Sequence, residues 1–316
     1  MARALATFAT IFAALWLCFY RVYRHYPYLQ LGITVLTDEK FRAEVAPHLL
    51  KRPNASGVLF FGNSKVLCGV LPDQFDNAME AAGKRTESYN LGLPGYWLFV
   101  DRLEKILKAG NIPRYIVVTF PWAPDSRERN LLHPILHDAH AMDVLFPFRH
   151  LLHNMILAAV WSMQTNGSLD FANTNKEIVQ RLRADRGYFV MQYLHYPGSV
   201  RLPPDFKSVN DHPTKVEARD ATTREGEFHR LLRLLDTYHI QCLMVPMYYR
   251  VHEFAAPPEH NQRLLRELAS YPEIKVLGPD YIRLDNRYFC DISHLNPDGA
   301  HVYTEYLANL IAPYVQ

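Results

Sequence analysis

Apolar and polar positions along this chain change period several times, and each change marks an element. Residues 57–63 begin as an unbroken apolar run and end in Gly62-Asn63-Ser64. Such a run predicts a strand buried on both faces, here handing over to a helix. Helical spacing follows over 64–82, interrupted by Gly69 and Pro72. A short strand is predicted at 87–91. Gly92-Leu93-Pro94-Gly95 then reads as a loop by its punctuation. Leu98, Leu103, Ile106 and Leu107 give residues 97–109 an apolar helical face that Gly110 stops. A third strand covers 114–120.

This β-α-β-α-β order with short loops predicts a parallel sheet with helices on both faces. The pattern breaks over 122–221, where one apolar helix is expected at 150–163 among prolines, histidines and polar turns. That stretch reads as an insertion or lid over the C-terminal edge of the sheet. Regularity resumes with a helix at 223–238, a strand at 240–246, a helix at about 258–270, a strand at 274–277 and a last helix at 297–312. Upstream, residues 26–54 form a connector with some helix over 38–50. The α/β domain therefore spans 55–316 and has five predicted parallel strands.

The N-terminal segment has a different character. Residues 4–20 carry no charge, with Arg3 before them and Arg21 and Arg24 after. As a helix this run covers about 25 Å. Trp16, Phe19, Tyr20 and Tyr23 lie where aromatic side chains favour a membrane interface. No Ala-x-Ala site follows the apolar core, so residues 1–25 are read as an uncleaved membrane anchor rather than a signal peptide.

Composition narrows the classes. A hydrophobic content of 49% supports a packed core, and a net charge of +2 gives no bulk attraction to nucleic acid. There is no glycine-rich phosphate loop. Cys18, Cys68, Cys242 and Cys290 lie far apart and read as small buried apolar groups rather than a disulfide framework. No cofactor is expected. His133 and His137 are spaced as a zinc pair on a helix would be, with His140 nearby. However, Pro134 separates them and no Glu follows the first His, so they are read as polar lid residues and no metal is assigned.

The chemistry-bearing candidate is Ser64, at a strand-to-helix junction where open α/β sheets place their sites. A serine nucleophile needs a base and a group that orients the base. Asp-x-x-His occurs three times in the chain. Asp236 and His239 end a predicted helix, and Asp298 and His301 fall inside the last one. Asp291 and His294 lie in a loop before the last helix, which returns to the same sheet edge as Ser64. Their spacing lets a carboxylate orient the imidazole while its other nitrogen faces the serine.

These blocks resemble the SGNH/GDSL hydrolase superfamily over roughly 55–125 and 225–316. Gly62-Asn63-Ser64 is similar to its first block, and Asn90-Leu91-Gly92-Leu93-Pro94-Gly95 to its second. Asp291 and His294 match its last block. The third block departs, with Pro121-Trp122-Ala123-Pro124 where the family has an oxyanion Asn. The resemblance implies a three-layer α/β/α sandwich of the flavodoxin-like type and a catalytic triad of Ser64, His294 and Asp291. It also implies an oxyanion hole built from the N–H groups of Ser64 and Gly95.

The variant first block, the anchor and the insertion resemble the membrane-anchored branch that works on cell-surface polymers. That branch includes polysaccharide O-acetyltransferases and the teichoic acid D-alanylation protein. It implies a single-pass protein of the cytoplasmic membrane with an extracytoplasmic domain, partnered with a membrane-bound O-acyltransferase and a surface glycan. The expected activity is acyl transfer to or from such a polymer through an acyl-serine. Esterase action and a non-catalytic glycan-binding or scaffold role are the alternatives. Asn63, Trp122, Tyr248, Tyr249 and Asn296 are the expected substrate contacts, although Trp122 and the two tyrosines suit ordinary packing at strand ends equally well.

Overall fold

The computed structural model describes residues 2–25, 32–47, 49–52, 54–94, 99–120, 171–190, 201–208, 226–251, 253 and 265–316. The chain divides into two compact units. One holds residues 1–38 and 127–180, the other residues 39–126 and 181–316.

In the first unit α1, Ala2–His25, is continuous. Leu5, Phe8, Ile11, Phe12, Leu15 and Leu17 are exposed along it. Phe8 and Phe12, one turn apart, stack with ring centroids 6.3 Å apart. Among the described residues no helix is long and apolar enough to cross a membrane. The expected single-pass anchor is therefore not found as such: the helix forms, but its charge-free run falls short of a hydrocarbon core of about 30 Å. Cys18 is exposed on this helix, contrary to expectation, whereas Cys68, Cys242 and Cys290 are buried; all four are free thiols. Helix α2, Gly32–Val45, starts and ends earlier than the sequence suggests.

The second unit is α/β. Strand β1 is Ser56–Phe61. The helix expected over 64–82 is two helices, α3 (Ser64–Gly69) and α4 (Pro72–Ala81). Pro72 cannot donate within a helix but suits a first turn, which explains the break. Then come β2 (Thr86–Asn90), α5 (Phe99–Lys108) and β3 (Tyr115–Phe120). Of the insertion expected over 122–221, residues 122–170, 191–200 and 209–221, with the predicted helix at 150–163, lie outside the described residues. Within that stretch α6, Phe171–Ala184, was not foreseen. The chain continues with α7 (Gly226–Thr237), β4 (Gln241–Arg250), β5 (Ile274–Val276), β6 (Tyr281–Leu284) and α8 (Pro297–Ile311).

The strand order is β2-β1-β3-β4-β5, and every pairing is parallel. The sheet has six strands rather than five, because β6 pairs with β4 from Met247 to Arg250. Strand alternation sorts side chains to two faces. Leu59, Phe61, Ile116, Val118, Cys242 and Met244 meet α5 and α7 through Leu103, Ile106, Phe228 and Leu231. Val58, Phe60, Val117, Leu243 and Val245 meet α4 and α8 through Phe75, Met79, Tyr303 and Leu307. After β1 the chain builds outward to β2 and then returns to β3 on the other side. The crevice of such a sheet opens where β1 and β3 diverge, and Ser64 is placed there by the end of β1.

Candidate active site

Ser64 is the first residue of α3, and local geometry explains why its hydroxyl is available. Asn63 caps the helix, its side chain accepting from Lys65 N–H at 2.9 Å. The capping role that a serine often takes at a helix start thus falls to its neighbour. Asn63, expected to contact substrate, is half-buried and uses its Oδ1 in this cap. Gly62 is required by close approach: a Cβ there would sit 2.3 Å from Val66 Cγ2.

His294 and Asp291 come to Ser64 from the loop before α8. His294 Nε2 is 2.8 Å from Ser64 Oγ, and His294 Nδ1 is 2.7 Å from Asp291 Oδ2. A carboxylate only accepts, so Nδ1 carries the proton and Nε2 is left to accept from the serine hydroxyl. Asp291 Oδ1 accepts two backbone N–H groups, from Ser293 at 2.8 Å and from His294 at 2.7 Å. Burial acts to raise the pKa of Asp291. The hydrogen bond and charge of His294, with those two N–H donors, outweigh it and hold the carboxyl below its ordinary value. Asp291 is therefore a carboxylate at neutral pH.

The loop after β2 is pinned to α3. Asn90, fully buried, donates to Val66 O and Val70 O at 2.8 Å each, and its Oδ1 accepts Gly92 N–H at 2.9 Å. A Cβ on Gly92 would lie 2.3 Å from Leu67 N, so glycine is required where the loop crosses the helix. Two buried side chains, Lys40 and Arg102, hold the loop's carbonyls. Lys40 donates to Asn90 O, and Arg102, paired with Glu44, donates to Leu91 O at 2.7 Å. Burial, followed by the charge of Arg102, lowers the pKa of Lys40 well below its ordinary value.

The remaining expected contacts separate. Gly95 and Trp122 lie outside the described residues, as do His133, His137 and His140. No cluster able to hold a metal occurs among the described residues. Tyr248 is fully buried and its hydroxyl donates to Lys65 O at 2.9 Å. It packs edge-on against Tyr303 with centroids 4.8 Å apart, so it is core and not a substrate platform. Asn296 is also buried. It caps α8 by accepting Gly299 N–H at 2.9 Å and donates to Arg287 O at 2.7 Å, which leaves it no role at the surface. Tyr249 is half-buried, with one face under Lys65 Nζ at 3.8 Å.

Lys65 turns away from the triad, as its place on α3 implies. Its Nζ donates to Tyr248 O at 3.2 Å and pairs with Glu253 Oε1 at 3.3 Å. Burial chiefly lowers its pKa to about 8, with Glu253 opposing the shift. A lysine in the unfolded chain titrates near about 10.4. Between these values the unfolded chain binds more protons, so this group makes stability rise with pH from about 8 to about 10.4. Lys65→Met is expected to flatten that rise, read as urea midpoints at pH 8 and pH 10; an unchanged slope would assign it to other groups.

Sequence reasoning also passed over Arg250 and Glu253. A charged residue closing an apolar strand was the available signal, but the strand was ended at Pro246, four residues early. No protein-family model matches the chain, and no curated protein matches it in sequence.

Proposed function

We propose that this protein transfers acyl groups through a covalent acyl-serine on Ser64, as an SGNH/GDSL-type acyltransferase or esterase acting on a cell-surface glycan. The observation that carries the reading is the unbroken chain from Asp291 through His294 to Ser64, with bonds of 2.7 and 2.8 Å. It stands at the sheet's switch point, where such sites form.

Ser64 Oγ attacks the carbonyl carbon of an acyl donor while His294 Nε2 takes the hydroxyl proton. Ser64 N–H donates to the tetrahedral oxyanion, together with Gly95 N–H by resemblance. The bond to the leaving group breaks, and His294 delivers its proton to that group. An acceptor hydroxyl, or water, then attacks the acyl carbon as His294 takes its proton; the acyl bond to Ser64 Oγ breaks and His294 returns the proton to that oxygen. Asp291 keeps the imidazole in the required tautomer throughout.

The exposed apolar side chains of α1 support attachment to a membrane; by resemblance this is the cytoplasmic membrane, with the α/β unit outside it. There a membrane-bound O-acyltransferase would supply the donor. A fluorophosphonate probe tests the chemistry. The intact protein is expected to form an adduct that maps to the Ser64 peptide and disappears in Ser64→Ala. An intact protein that stays unlabelled, with its glycan acylated equally in Ser64→Ala cells, would favour the scaffold role instead.

A further inference from the structure

We propose that Arg250 is a positioning residue for the triad, holding the Asp291–His294 turn at the height at which His294 meets Ser64. This rests on the acyl-transfer reading of that triad. Arg250 ends β4 and is 1% exposed. A buried guanidinium needs partners, and here they point at the site. Its Nε–H donates to Ile292 O at 2.8 Å, in the middle of the turn. Its guanidinium lies over the Phe206 ring, 5.2 Å from the centroid.

The turn is therefore held from two sides. Asp291 Oδ1 gathers Ser293 N–H and His294 N–H from within, and Arg250 holds Ile292 O, the carbonyl of the same peptide group as Ser293 N–H. Glu253 ties the same strand end to the nucleophile's helix. Its Oε2 accepts Arg250 N–H at 3.1 Å, and its Oε1 pairs with Lys65, the residue after Ser64, at 3.3 Å. Lys65 also donates to Tyr248 O at 3.2 Å, two residues before Arg250. Serine and histidine come from distant parts of the chain, and both are referenced to the last residues of β4. A displacement of about 1 Å in such a pair costs about 100-fold in rate.

The test compares full-length Arg250→Met, Arg250→Gln and Glu253→Gln with the parent, by fluorophosphonate labelling rate and by the low-field proton resonance of His294 Nδ1–H. Arg250→Met is expected to label about 100-fold more slowly and to shift or lose the resonance. Arg250→Gln, whose amide still donates to Ile292 O, is expected to recover most of both. Folded Arg250→Met with the parent's rate and resonance would overturn the proposal. So would a rate that tracks melting temperature across the variants while the resonance stays fixed. Should Arg250→Met not fold, Glu253→Gln decides: a shifted resonance with slower labelling supports the brace, and an unchanged resonance overturns it. The resonance reports the turn whether or not any ester is cleaved. An unlabelled parent therefore counts against acyl transfer, and an unmoved resonance counts against Arg250.

Discussion

Replacing His294 with alanine is expected to slow fluorophosphonate labelling of Ser64 by about ten-thousand-fold. A serine hydroxyl is a weak nucleophile until a base removes its proton during attack. Nε2 is 2.8 Å from Oγ, within reach of that proton. Asp291 remains a carboxylate at neutral pH, so it accepts Nδ1–H and holds the ring with Nε2 toward the serine. Alanine removes the base but leaves Asp291 its bonds to Ser293 N–H and to the backbone N–H of residue 294. The turn should persist, and the loss should lie in rate rather than in folding, as circular dichroism and the melting temperature would show. Added imidazole is expected to restore part of the rate by entering the vacated space. A folded variant that labels within tenfold of the parent would mean that His294 is not the base, and the triad would be a structural hydrogen-bond chain.

The parts of the fold that were legible in the sequence are those set by local pattern. Leu59 and Phe61 face one layer while Val58 and Phe60 face the other, as an unbroken apolar run implies. Choosing Asp291 and His294 over two other Asp-x-x-His pairs needed only the rule that loops after parallel strands gather at one edge. What stayed hidden depends on distant partners. Strand β6 is four residues long and forms by pairing with the extension of β4, far from it in sequence. That extension also changes the facing of β4. Leu243, Val245 and Tyr248 all lie in the same core cluster, so alternation slips by one residue beyond Pro246 and carries Tyr248 inward. Asn63 and Asn296 look like site residues because helix caps and binding groups draw on the same side chains. Only the observed partners, Lys65 N–H and Gly299 N–H, separate the two uses.

The largest expected loss of stability follows from Asn90→Ala. Asn90 is fully buried, away from bulk water. Its Nδ2 donates to Val70 O just past the end of α3 and adds a second bond to Val66 O, which also accepts Val70 N–H. Its Oδ1 satisfies Gly92 N–H in the loop. Each buried group left unbonded costs about 1–3 kcal/mol. Two such groups with a small cavity put the loss on the order of 3–5 kcal/mol. That is a large share of the roughly 5–15 kcal/mol that holds a typical domain together. The urea midpoint should fall with little change in slope, since the surface exposed on unfolding is nearly the same. Ser64→Ala, which removes one partly exposed hydroxyl, should shift the midpoint far less. Because Asn90 fastens the loop after β2 to the helix that begins with Ser64, Asn90→Ala should also slow labelling at temperatures where it remains folded. A midpoint equal to that of the parent would mean that the loop and α3 keep their positions without it, and the pinning role of Asn90 would have to be abandoned.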